Sequence, residues 1–106
     1  MSSSVDGNGH SAPIRVSWRF THIAAGTATT VVKAAPGKLH AIVINTSGAS
    51  SNTIAVYDDA SGTSNQIALI DGTTDEKTLF YDAECVEGIS IVSAAGTGAD
   101  MTVLWV

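Results

Sequence analysis

Asp58 and Asp59 are adjacent carboxylates with Ser61 and Asn65 close behind. Such a set could hold a hard cation. A calcium loop needs several oxygens at alternate positions and a late glutamate, and this spacing does not supply them. An aspartate at a strand end also begins a turn by bonding its own backbone, and the stretch is read that way. "DGTTDE" at residues 71–76 is read the same way. His10, His22 and His40 lie far apart and lack the i, i+2 or i, i+4 spacing of a metal pair. His22 and His40 fall on strands, as solvent-facing or hydrogen-bonded histidines. "GASS" at 48–51 is no G-x-S-x-G nucleophile elbow, and the strand before it leads to no helix. Gly96 and Gly98 form G-x-G without a following helix, so no phosphate cradle is implied. Cys85 is alone, which excludes an intrachain disulfide and a Cys-rich zinc site. It is read as an inert small hydrophobe. No catalytic residue, metal ligand or cofactor site is assigned, and the chain is not expected to be an enzyme.

The aromatics are Trp18, Phe20, Tyr57, Phe80, Tyr81 and Trp105. Aromatics on alternating strands are core or interface anchors. The alternative is a sugar-stacking surface built from Trp18, Tyr57 or Tyr81.

These residues need a frame, and the sequence specifies one. From Ile14 to Thr21 the chain alternates: Ile14, Val16, Trp18 and Phe20 share one parity, and Arg15, Ser17, Arg19 and Thr21 the other. That is the period of a half-buried strand. Turn chemistry recurs at "AAGTA", "APGK", "TSGASSN", "DASGTSN", "DGTTDE", "AECVEG" and "AAGTGAD". Between the turns lie "TTVVK", "LHAIVIN", "TIAVYD", "QIALI", "KTLFYD", "ISIVS" and "MTVLWV". About eight short strands at this spacing predict an all-β fold, a single antiparallel β-sandwich of jelly-roll type. The sandwich is expected over residues 14–106, and residues 1–13, polar with Gly7, Gly9 and Pro13, as an extended amino-terminal arm.

Composition agrees. Of 106 residues, 49 are Gly, Ala, Ser or Thr, which suit strands and tight turns. Only 14% are charged, against about 25% in an ordinary soluble domain. Fewer charges leave more surface that a partner could cover. Residues 1–40 carry Arg15, Arg19, Lys33 and Lys38 against Asp6, a net +3. Residues 41–106 carry nine carboxylates against Lys77, a net −8. An acidic chain without a basic patch argues against nucleic acid as partner. No secretory signal and no apolar run of bilayer length are seen, so no membrane partner is expected. "NTS" at 45–47 is therefore not read as a glycosylation site.

Some strands are apolar on both faces: Ile42–Val43–Ile44, Leu79–Phe80–Tyr81 and Val103–Leu104–Trp105–Val106. A two-sheet monomer has one inner face per sheet, so something must cover the other. A second subunit is the expected cover. Trp105–Val106 is read as docked, so a tag there should harm folding or assembly more than one at Met1.

"PGKLHAIVIN", "TIAVYDDASGTSNQIALI", "TLFYD" and "GTGADMTVLWV" resemble a pattern in small β-sandwich virion proteins of tailed bacteriophages, the capsid decoration (cement) proteins and related head or tail modules. The resemblance covers about residues 25–106 and transfers no catalytic residue. It implies a structural protein of the virion surface, assembled in the host cytoplasm. Such a protein binds the major capsid protein from outside, forms homotrimers and clamps neighbouring shell subunits non-covalently. On this reading Ile42, Ile44, Phe80 and Leu104 form the oligomer contact on the outer strand faces. Val5, His10, Pro13, Arg15 and Arg19, on the arm and first strand, reach the shell. The alternative is a tail or fibre module that binds host-surface carbohydrate.

Overall fold

Eight strands run through the described residues: β1 (Arg19–Ile23), β2 (Thr29–Lys33), β3 (Gly37–Thr46), β4 (Thr53–Tyr57), β5 (Gln66–Asp71), β6 (Lys77–Cys85), β7 (Ile89–Ala94) and β8 (Asp100–Trp105). The computed structural model describes residues 17–73, 77–94 and 97–106. Residues 1–16, with the predicted arm and the candidate contacts Val5, His10, Pro13 and Arg15, lie outside them.

The strands form two four-stranded sheets, ordered β1-β8-β3-β6 and β2-β7-β4-β5. Every pairing is antiparallel. β1 pairs with β8, β2 with β7, β3 with β6 and β4 with β5. The chain thus doubles back at the β4–β5 loop, and the doubled ribbon rolls across two sheets. That connectivity is the jelly roll, which the alternating strands and recurring turns predict.

Alternation drives the two sheets together. Leu39, Ile42, Ile44, Ile54, Val56, Ile89, Met101 and Val103 have no exposed surface, and Ile91 has 2%. They come from both sheets and form one core. Each such side chain contributes about 1.5–3 kcal/mol when fully buried.

Two predicted placements are reversed. Strict alternation from Leu39 would turn Ile42 and Ile44 outward. The register instead shifts at His40. Against β8 the extra residue is His40 on β3, since Leu39 faces Trp105 and Ala41 faces Leu104. Against β6 the extra residue is on β6, since Leu39 faces Ala83 and Ala41 faces Phe80. The bulge resets the parity, so Ile42 and Ile44 are core residues and Val43 faces out. They cannot form an outer-face contact. At β1, Trp18, Phe20 and His22 share the outward parity, and Phe20 is 70% exposed.

A buried polar group closes one end of the sandwich. Asn52, 1% exposed, donates from Nδ2 to Ser93 Oγ at 3.0 Å and to the Ala94 carbonyl at 3.1 Å. Its Oδ1 accepts from the Ala99 N–H at 3.3 Å. Gly48 leaves it room: a Cβ there would lie 2.6 Å from the Thr97 carbonyl oxygen. At the other end the backbone of Val106 exchanges two 3.0 Å hydrogen bonds with Lys38.

Candidate interaction faces

The aspartates that most resemble cation ligands are occupied by the backbone. Asp58 accepts from the N–H groups of Val86 (3.0 Å), Glu87 (2.8 Å) and Gly88 (3.2 Å). The Glu87 bond is the largest of several that lower its pKa below the ordinary 3.8. Asp59 accepts from Ser61 and Ser64 N–H at 3.0 and 2.9 Å, which lowers its pKa too. Asp71 does the same with Thr73, through the hydroxyl and the N–H. These are turn carboxylates. Among the described residues no three His, Cys, Asp or Glu side chains gather as they would around a metal ion. Cys85 is fully buried, and burial followed by the charge of Asp58 pushes its thiol pKa up, away from a nucleophile.

What the fold presents to solvent is two sheet faces of different chemistry. On the β1-β8-β3-β6 sheet, Phe20, Leu104, Ala41 and Phe80 stand in one register row. Phe80 is 66% exposed, and Ala41 is wholly covered between its neighbours. The next outward row is His22, Thr102, Val43 and Thr78. Two histidine–aspartate pairs flank the aromatics. His22 Nε2 lies 2.9 Å from Asp100 Oδ2. Asn45 Nδ2 donates to Asp100 Oδ1 and Thr102 Oγ1 at 3.0 and 3.1 Å. The Asn45 and His22 bonds hold the Asp100 pKa low.

The second pair is built by the bulge. His40 is opposed on β6 by Tyr81 and Asp82, since Leu39 pairs with Ala83 and Ala41 with Phe80. Asp82 takes a left-handed conformation, φ 46°, unusual for a non-glycine residue. His40 Nδ1 is hydrogen-bonded to the Asp82 carboxylate. The Trp18 ring stacks on the His40 ring, centroids 4.3 Å apart and planes 4° apart. Phe80 meets it edge-on at 5.6 Å.

The outer face of β2-β7-β4-β5 is drier. Its rows are Thr29–Val92–Ala55–Leu69 and Val31–Ser90–Tyr57–Gln66. Leu69 is 63% and Val31 44% exposed. Neither row carries a charge. A shallow hollow of about 260 Å³, lined by Ser51–Thr53 and Leu69–Asp71, lies beside Leu69.

Of the predicted contacts, Phe80 and Leu104 do face outward, and Arg19 is exposed, its guanidinium 5.9 Å from the Trp105 ring. Of the candidate sugar-stacking aromatics, Trp18 joins the His40 cluster and Tyr57 lies on the opposite sheet. Tyr81 leans into the core, where burial raises its hydroxyl pKa. The His40–Asp82 pair, Val31 and Leu69 escape sequence reasoning. Leu69 alone had a signal, the apolar run "QIALI". Comparison with protein-family models, curated proteins and solved structures finds no match.

Proposed function

We propose that this protein is a bacteriophage capsid decoration protein, a non-enzymatic module whose copies associate as a trimer and clamp the major capsid protein of the assembled head. The observation that carries the reading is the pair of uncharged outer rows on the β2-β7-β4-β5 sheet, with Leu69 and Val31 exposed on them; Asp71 stands in the next row, opposite Thr53. Apolar surface without charge is what a protein interface needs at its centre, and exposed apolar patches mark such contacts. The jelly roll supports the reading by analogy only, since that fold serves capsid and lectin domains alike. The sequence resemblance supplies the shell as partner. Many copies on one head give avidity, so each contact can be modest.

The self-contact is placed on Val31, Leu69 and Val92 in preference to Phe80 and Leu104, whose face carries two aspartates. Shell contact is left to the amino-terminal segment with Arg15, and to Arg19. The test is co-sedimentation with assembled heads of the encoding phage, prepared without this protein. Saturable binding that Leu69→Asp abolishes supports the proposal. Absence of binding by the wild-type protein overturns it.

A further inference from the structure

We propose that the outer face of the β1-β8-β3-β6 sheet binds an uncharged oligosaccharide across Phe20, Trp18, Phe80 and Asp82. This inference does not rest on the decoration reading, whose self-contact uses the opposite face.

The backbone is the first argument. The His40 bulge and the left-handed Asp82 sit opposite each other on β3 and β6. Together they put a histidine–carboxylate pair on the solvent side, where the Asp82 side chain is 64% exposed. Bulges re-aim side chains, and strained residues of this kind cluster at ligand clamps.

The rings are the second. Trp18 is held by stacking on His40, and Phe80 packs edge-on to the same ring. Held aromatics lose little freedom when a ligand covers them. They offer flat apolar surface to the C–H faces of a pyranose, whose hydroxyls point to the sides. Phe20 lies three strands from Phe80 in the same row, about 14 Å at ordinary strand spacing. That length suits several sugar units.

Charge complementarity selects the occupant. The ionisable groups of the two outward rows and their flanks are Asp82, Asp100, His22 and His40, with Lys38 and Glu84 paired in the row beyond His40. Three carboxylates, Asp82, Asp100 and Glu84, against Lys38 leave the face net negative, which disfavours an anion. A protein partner would have to strip water from Asp82 at the centre of its contact, which is costly without donors. Hydroxyl groups are such donors, and Asp82, Asp100, Asn45 and Thr102 offer acceptors and a donor in return.

Maltohexaose, chitohexaose and hexagalacturonic acid titrated into the full-length protein by calorimetry test this. We expect saturable binding of at least one neutral hexamer and none of the acidic one. Trp18→Ala, Phe80→Ala and Asp82→Asn should each weaken binding by roughly tenfold or more, with unchanged circular dichroism. Leu69→Asp should bind as the wild type does, so failure here and failure of shell docking are read separately. The proposal is overturned if neither neutral hexamer binds, if the acidic hexamer binds as tightly, or if folded Trp18→Ala and Phe80→Ala bind normally.

Discussion

The carboxylate of Asp58, at the end of β4, accepts the backbone N–H of Glu87 at 2.8 Å across 29 residues of sequence. Val86 and Gly88 donate to the same carboxylate. One side chain thereby ties the β4–β5 loop to the β6–β7 loop. Asp58→Asn keeps the shape but removes the charge that three N–H groups favour. Its melting temperature should fall at pH 7 and the difference should vanish in strong acid. Equal melting curves at pH 7 would show that the contact is incidental.

The pH dependence follows from the same groups. Asp58, Asp59, Asp71 and Asp100 all have folded pKa values below the ordinary 3.8. The unfolded chain therefore takes up protons before the folded one does as pH falls. Their stabilisation is complete well above pH 3.8 and is lost as pH drops through the folded values. Denaturant midpoints should be flat from these groups above about pH 5 and decline steeply below 3.8. A midpoint unchanged from pH 5 to pH 2 would contradict this.

The two sides of β3 can be separated by truncation. Ile42→Ala removes methyl groups from a core site with no exposure and should cost about 2–5 kcal/mol by chemical denaturation. Phe80→Ala, one strand away on the solvent side, should stay within about 1 kcal/mol of the wild type. Similar losses in both would mean that β3 is misregistered.

Asn52 offers a sharper test of buried polarity. Asn52→Ala leaves the Ala99 N–H without its side-chain acceptor, and Ser93 and the Ala94 carbonyl without their donor. Each unsatisfied group costs about 1–3 kcal/mol, so a loss of about 3 kcal/mol or more is expected. A loss below about 0.5 kcal/mol would imply that water replaces the amide.

Strand number, antiparallel pairing and the jelly-roll class were legible because apolar alternation and turn residues are local signals. Asp58, Asp59 and Asp71 as turn residues were legible for the same reason. The bulge at His40 was not. Its cause is the pairing of β3 with β6 and β8, partners far away in sequence, and one extra residue exchanges the faces of Ile42 and Val43. Which parity of β1 faces the core was not legible either. Trp18 and Phe20 look like core residues until His40 and Leu104 are known to lie beside them on the outer face. The histidine–aspartate pairs, separated by 42 and 78 residues, have no local signature.

The most direct test of the docking claim is the solution mass of the full-length protein by light scattering on a sizing column at low micromolar concentration, beside Leu69→Asp. The account predicts a trimer for the wild type and a folded monomer for the variant. A wild-type monomer, or a trimer that Leu69→Asp leaves intact, would contradict the assignment of this face to self-association.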